Sequence, residues 1–218
     1  SFLLLIIYIC FISLGLPDSL LGSAWPTIYQ EFDVSVSYAG LVSVIISAGT
    51  ITSSLLSDKL TKKFSPGIVT AVSIMMTAGA LLGFGLSNKF WMLLVFAVPY
   101  GLGAGGVDAC LNNYVALHYE SKHMSWLHCM WGVGATISPY IMGLALTYGS
   151  GWNQGYLIVS IIQFVLVAFV FTTLPKWKKR EKNEIEEVNI KSLTFKEIFS
   201  IKGAISCFIL FFGYCSLE

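Results

Sequence analysis

The stretch FWMLLVFAVPYGLGAGGVDACLNNYVAL, residues 90–117, carries a single charged side chain, that of Asp108. An α-helix needs about 20 predominantly apolar residues to cross the hydrocarbon core of a bilayer. The stretch exceeds that length and therefore predicts a membrane-spanning helix. The whole chain agrees, since 56% of its 218 residues are hydrophobic and 11% are charged, whereas soluble domains carry about 25% charged residues.

Five further apolar runs are long enough to span a bilayer. With the first stretch they give six predicted spans, near Phe2–Tyr29, Tyr38–Ser57, Gly67–Leu86, Phe90–Leu117, Met124–Tyr148 and Trp152–Leu174. We therefore predict an all-α membrane protein in which residues 1–175 form a six-helix bundle. Residues 176–202 are predicted to form a polar loop, and residues 203–218 the start of a seventh membrane helix. Because the chain lacks an initiator Met and stops inside an apolar run, we expect a fragment of a longer protein.

The basic residues predict the orientation of these spans. Of the thirteen Lys and Arg residues, only Lys89 falls between the third and fourth runs; the other twelve fall on the opposite side. Loops that carry Lys and Arg face the cytoplasm. We therefore expect a cytoplasmic amino terminus in a multi-pass protein of the plasma membrane, such as a bacterial inner membrane. Topology accounts for the basic residues, so no nucleic-acid partner is expected.

Three carboxylates lie inside apolar runs: Asp18, Asp108 and Glu218. A charged side chain at the bilayer centre costs at least about 2.5–3.5 kcal/mol, so such residues normally face a cavity, pair, or carry a proton. Asp108 is the strongest candidate, because Asn112 lies one helical turn further on the same face and Asn113 beside it. A purely structural hydrogen bond between helices is the alternative for Asp108.

A bend is predicted in the first run next to Asp18. Pro17 removes a backbone donor and frees a carbonyl near the carboxylate, and Pro26 follows. Irregular backbone at membrane depth is tolerated where it lines a cavity. The alternative is a kink needed only for packing. Glu218 is the last residue, and it is either a carboxylate of the seventh helix or a residue left by cloning.

Aromatic and histidine side chains supply further candidates for substrate contact. His128 and Trp131 share a face of the fifth run, and Trp25 lies near the predicted outer end of the first. A headgroup contact is the alternative for His128. His118, His123 and His128 recur every five residues, which spreads them around a helix, so we predict no metal site. Neither a phosphate-binding loop nor a hydrolase or zinc-protease signature occurs, and we expect neither an enzyme nor a cofactor.

The loop after the second run resembles a signature of the major facilitator superfamily. It reads SLLSDKLTKK, residues 54–63, and is similar to the family's G-x-x-x-D-R/K-x-G-R/K-R/K. The resemblance implies that Asp58, Lys59, Lys62 and Lys63 latch helix ends and bias the equilibrium between inward- and outward-facing states. A weak echo at an offset of 90 residues, in which residues 15–21 match residues 105–111, is consistent with the inverted three-helix repeats of such transporters.

Within that superfamily, residues 101–113 resemble the fucose-permease branch, in which a glycine-rich stretch precedes an acid and an Asn. The resemblance implies a proton-coupling role for Asp108 and a sugar-binding role for Asn112. We therefore predict a proton-coupled sugar transporter, with H⁺ or Na⁺ as coupling ion, the lipid bilayer as surroundings and a C-terminal half as partner. A drug or metabolite exporter of the same fold, and a six-helix scaffold without transport, are the alternatives.

Overall fold

A computed structural model describes residues 2–149, 151–184 and 195–217. In that part of the chain the elements are α1 (Phe2–Asp18), α2 (Leu20–Glu31), α3 (Tyr38–Phe64), α4 (Pro66–Gly85), α5 (Phe90–His118), α6 (Ser121–Tyr148), α7 (Trp152–Glu184), α8 (Phe195–Ser200) and α9 (Ala204–Leu217). Helices α1 and α2 together form one span, and six spans in the described residues are long and apolar enough to cross a membrane. The predicted six-helix membrane bundle is confirmed.

The first span is interrupted, as the proline predicts. Helix α1 ends at Asp18 and α2 begins at Leu20, so that Ser19 lies outside both helices. Pro17 has no N–H for the carbonyl of Ser13, four residues earlier, and its ring disfavours regular helix at this point. The interruption leaves Asp18 at a helix end within the membrane span.

The last span differs from its prediction. Helix α7 continues past the expected end at Leu174 to Glu184, although it contains Pro175. Trp177 explains part of this continuation, since its side chain is only 1% exposed and its ring packs 5.0 Å from that of Tyr114. A proline removes a single helical hydrogen bond, which burial of a large aromatic side chain can offset.

Glycines set the helix pairing within the first of two compact units, residues 1–180. A Cβ at Gly15 would meet the backbone of Trp131 and Ala135 in α6. A Cβ at Gly105, 90 residues later, would meet the backbone of Thr50 in α3. The first span therefore packs against the fifth, and the fourth against the second, which is the exchange that two related three-helix repeats predict.

Helices α4 and α7 complete the first unit. Gly103 of α5 lies against the backbone of Ser73 and the side chain of Thr77 in α4. Ser160 of α7 donates a hydrogen bond of 2.8 Å to the carbonyl of Ala78 in α4. The glycines of α5 thus allow close packing against both α3 and α4. This packing explains the glycine-rich composition, and no nucleotide-binding role is needed.

The second unit, residues 181–218, contains α8 and α9. In α9 the side chains of Phe208, Ile209, Leu210, Phe211 and Phe212 are exposed. This helix is apolar but shorter than the six spans, and the start of a seventh membrane helix in this part of the chain stays a prediction. Glu218 lies outside the described residues.

Candidate functional site

Asp18 accepts hydrogen bonds from two other spans. The Tyr100 hydroxyl of α5 donates to Asp18 Oδ1 at 2.9 Å. The Trp131 indole of α6 donates to Asp18 Oδ2 at 2.7 Å. Both carboxylate oxygens are therefore held by neutral donors, and Asp18 as a residue is exposed in the bundle. Both donors are uncharged groups, so the arrangement is compatible with both the ionised and the protonated form of Asp18.

Asp108 is held within its own helix. Asn112 Nδ2 donates to Asp108 Oδ1 at 2.9 Å and to the Asp108 carbonyl at 3.0 Å. The other amide atom, Asn112 Oδ1, is buried and has no hydrogen-bond partner among the described residues. A buried acceptor without a donor is uncommon and calls for an explanation. It is a free acceptor one helical turn from a carboxylate.

The two predicted acids, Asp18 and Asp108, lie on different helices, α1 and α5. The two acids occupy corresponding positions of the repeats, since they are 90 residues apart. Each of these corresponding acids is held by its own neutral donors.

A cavity of about 160 Å³ opens beside Asp18. Its lining includes polar side chains from three helices: Ser43 and Ser47 of α3, Tyr100 of α5 and Tyr156 of α7. This volume is well above what a single water molecule requires, and the lining offers several hydrogen-bonding partners. The cavity can therefore bring water to the Asp18 carboxylate.

Three further residues that were predicted to contact the substrate have different environments. His128 is exposed and meets the ring of Phe11 edge to face. Asn113 is also exposed, and it is Asn112 that bonds to Asp108. Trp25 is 6% exposed and donates from its indole to the Val36 carbonyl at 2.8 Å, so that its polar atom serves the packing of the bundle.

The predicted latch residues lie in the last turns of α3, which continues to Phe64, and not in a loop after that helix as the sequence predicted. Lys62 Nζ lies 2.8 Å from Asp58 Oδ2, and both side chains are about half exposed. Lys63 Nζ lies 5.1 Å from the centre of the Phe64 ring. The acidic and basic positions of the motif therefore pair along one helix, four residues apart.

The sequence match extends over nearly the whole chain. A sequence model of the Major Facilitator Superfamily matches residues 7–217. The chain belongs to the major facilitator superfamily. It is thus a multi-pass membrane protein of a transporter family, whose members bind small-molecule substrates within the bilayer, and its six spans correspond to the family's N-terminal six-helix bundle.

The chain is similar to several individual members of this superfamily. Bypass of stop codon protein 6 of Saccharomyces cerevisiae is 25% identical over 201 residues, covering 85% of this chain and 40% of that protein. The glucose/mannose transporter GlcP of Bacillus subtilis is 24% identical over 185 residues, 83% of this chain and 45% of that protein. The probable sphingolipid transporter spinster homolog 1 of Arabidopsis thaliana is 25% identical over 159 residues, 70% of this chain and 32% of that protein. The chain spans less than half the length of these relatives.

Tyr100 is the member of the site that sequence reasoning missed. It lies eight positions before Asp108 and looks like one more aromatic residue of an apolar helix. A signal was present, because a buried Tyr hydroxyl normally needs a partner, and Asp18 is one of the few acids inside the spans. Only the contact between the first and fourth spans brings Tyr100 to Asp18.

Proposed function

We propose that the chain forms the N-terminal half of a proton-coupled transporter for a small polar solute, with a sugar as the first candidate. The observation that carries this proposal is that two acids within the membrane spans are each held by neutral donors, with the unpaired Asn112 Oδ1 beside one of them. In this proposal the transporter works by alternating access, together with a second six-helix half.

The exposure of Asp18 supports a path that contains water. A carboxylate that faced lipid inside the hydrocarbon region would cost at least about 2.5–3.5 kcal/mol. The position of Asp18 beside the cavity therefore fits the wall of a water-filled path better than a lipid-facing surface. Irregular backbone, such as that at Ser19, is tolerated at membrane depth under the same condition.

The acids have distinct roles in this proposal. The Asp108 carboxylate takes up a proton from the side of lower pH and releases it on the other side, while Asn112 Oδ1 accepts a hydrogen bond from a substrate hydroxyl. Asp18, held by Tyr100 and Trp131, binds a second hydroxyl or exchanges a proton with water in the adjacent cavity. Hydroxyl groups suit both sites, because carboxylate and amide oxygens are hydrogen-bond acceptors.

A sugar is the first probe because one relative is a glucose/mannose transporter. The full-length protein in proteoliposomes should accumulate radiolabelled glucose or mannose when a pH gradient is imposed. Asp108→Asn should abolish accumulation but retain exchange of labelled for unlabelled sugar, because exchange needs no net proton movement. Accumulation that is unchanged by Asp108→Asn would overturn the proton role.

Glu120 offers a matched control at the end of the same span. It lies outside the span, and the hydrogen bond and charge of Lys122, 2.7 Å away, hold the pKa of its carboxyl below the usual value. Glu120 is therefore ionised at neutral pH, and Glu120→Gln makes the same change from carboxylate to amide as Asp108→Asn without touching the cavity. Its accumulation should match that of the wild type.

The exporter alternative has a different result in the same vesicles. A proton antiporter for apolar compounds would leave both sugars untransported and would expel a fluorescent lipophilic cation such as ethidium against its gradient. A scaffold without transport would do neither. The localisation proposed for the transporter is the plasma membrane, with the amino terminus in the cytoplasm.

A further inference from the structure

Gln163 is a buried polar residue in the middle of the last span. It lies in the run SIIQFVLVAF, residues 160–169, and is only 1% exposed. Its amide makes two hydrogen bonds: Nε2 donates to the carbonyl of Ser13 at 2.9 Å, and Oε1 accepts from the Thr77 hydroxyl at 2.9 Å. The amide therefore joins α7 to α1 and α4. Because a carbonyl can only accept, the nitrogen of the amide must face Ser13.

The carbonyl that Gln163 contacts is the one affected by Pro17. In a regular helix the N–H of residue 17 donates to the carbonyl of residue 13. Proline has no N–H, so the Ser13 carbonyl loses that donor. Ser13 is 3% exposed, and a buried carbonyl without a donor is unfavourable in a membrane protein. Gln163 supplies from α7 the donor that α1 lacks.

The two three-helix repeats differ at the positions of both Pro17 and Gln163. At an offset of 90 residues, Val107 stands where the first repeat has Pro17, and Ser73 stands where the second has Gln163. Val107 keeps its backbone N–H, so the fourth span needs no replacement donor. The glutamine therefore occurs in the repeat whose last helix faces the proline-containing helix. The corresponding position of the other repeat, Ser73, has a short side chain instead.

The bond lies next to the interaction that orients Asp18. Gly15, between Ser13 and Pro17, packs against the backbone of Trp131, and the Trp131 indole donates to Asp18. Any rotation of α1 about the Ser13–Pro17 turn therefore changes the distance between the carboxylate and the indole. The amide of Gln163 holds the Ser13 end of this turn from α7.

We propose that Gln163 is a positioning residue for Asp18: its side-chain amide replaces the backbone donor that Pro17 lacks and fixes the interrupted helix so that Asp18 meets Trp131. The importance of Asp18 rests on the proposed transport function, whereas the positioning itself does not. The proposal can therefore be tested without a substrate.

The test measures the Trp131 hydrogen bond directly. The full-length protein is purified in detergent with ¹⁵N-labelled tryptophan, and the Trp131 indole signal is assigned from its loss in Trp131→Phe. Gln163→Met keeps the length and apolar volume of the side chain but removes both hydrogen bonds. It should shift the Trp131 indole proton upfield, because a weaker hydrogen bond shields that proton. Ser160→Ala is the matched control: it removes a bond from α7 to α4, equally buried, and should leave the signal in place.

A second measurement tests the link to Pro17. Gln163→Met should lower the melting temperature, and the loss should be smaller in a Pro17→Ala background, where residue 17 again carries an N–H for Ser13. Equal losses in both backgrounds would overturn the proposal, since Gln163 would then act independently of the proline. An unshifted Trp131 signal in a destabilised Gln163→Met protein would also overturn it, because Gln163 would then only hold helices together.

Thr77→Val covers the case in which Gln163→Met does not fold. It preserves the shape of the side chain and leaves the donor to Ser13 in place, but releases Oε1 of the amide. A smaller upfield shift of the Trp131 indole is expected, and no shift would contradict the proposal. Failure of sugar uptake by the wild type would refute the sugar as substrate and leave these signals readable, so the two hypotheses fail separately.

Discussion

The indole nitrogen of Trp131 lies 2.7 Å from Asp18 Oδ2, although 113 positions separate the two residues. The bond joins α6 to the interrupted end of α1. In the most apolar 18-residue stretch of α6 only 22% of the residues are buried in the bundle, compared with 67% for α4. Helix α6 nevertheless packs closely against α1 at Gly15 and Gly134, and this hydrogen bond adds a polar contact to that packing.

Trp131→Phe should impair transport more than it impairs folding. The substitution keeps an aromatic ring but removes the donor to Asp18, and a hydrogen bond to a charged group contributes about 1.5–3 kcal/mol. If the carboxylate is ionised when substrate binds, uptake efficiency should fall roughly tenfold or more. Trp126→Phe is the control, because Trp126 lies on the same helix and is 55% exposed. Equal uptake by both variants would remove Trp131 from the site.

Gly134→Ala should destabilise the bundle, whereas Gly132→Ala should not. A Cβ at Gly134 would meet the backbone of Ile12 and Leu16 in α1, while a Cβ at Gly132 would meet nothing within 4 Å. Backbone atoms cannot move aside cheaply, so overpacking at Gly134 should cost about 1–3 kcal/mol of unfolding free energy. Gly132→Ala should be neutral or stabilise by up to about 1 kcal/mol. Thermal unfolding in detergent measures both, and similar melting temperatures would contradict the close contact.

The spans could be predicted from the sequence because each depends on local composition alone. The start of α5 at Phe90 and of α7 at Trp152 agree with the predicted starts, since a bilayer imposes a minimum length on every apolar run. The interruption after Asp18 could be predicted for the same reason: Pro17 acts on its own helix. The extension of α7 could not, because it depends on the burial of Trp177 against a distant helix.

The candidate site was predicted in part. Asp18 and Asp108 were identified because a carboxylate in an apolar run is costly wherever it lies. The partners of Asp18 were harder to predict, since Tyr100 and Trp131 lie on other spans and are brought to it by helix packing. Gln163 was missed altogether. Its role becomes visible only when α7 is placed beside the carbonyl of Ser13.

Asp58→Asn should change transport without changing stability. The bond from Lys62 to Asp58 is 2.8 Å long, but both side chains are about half exposed, and exposed pairs four residues apart contribute about 0.3–0.5 kcal/mol. The unfolding free energy should therefore change by less than about 0.5 kcal/mol. If Asp58 biases the inward–outward equilibrium, the maximal rate of sugar uptake should fall. Lys62→Gln removes the same pair from the other side and should reproduce the effect.

An unchanged uptake rate in Asp58→Asn would leave the pair without a latch function. A fall in stability of several kcal/mol would contradict the exposed geometry, since a screened surface pair cannot contribute so much. Raising the ionic strength offers a third check. Salt screens exposed charges, so the difference between wild type and variant should shrink at 1 M salt if the pair acts through its charge.

Lys89→Cys and Lys122→Cys should be labelled from opposite sides of the membrane. Both native side chains are exposed and flank the same span, α5, at its two ends. Because Lys and Arg concentrate in cytoplasmic loops, Lys89 should face outward and Lys122 inward. In a background with the native cysteines replaced by serine, a membrane-impermeant maleimide added to intact cells should label Lys89→Cys alone, and permeabilisation should expose Lys122→Cys. The reverse pattern would invert the proposed orientation, and labelling of both from one side would contradict a membrane-spanning α5.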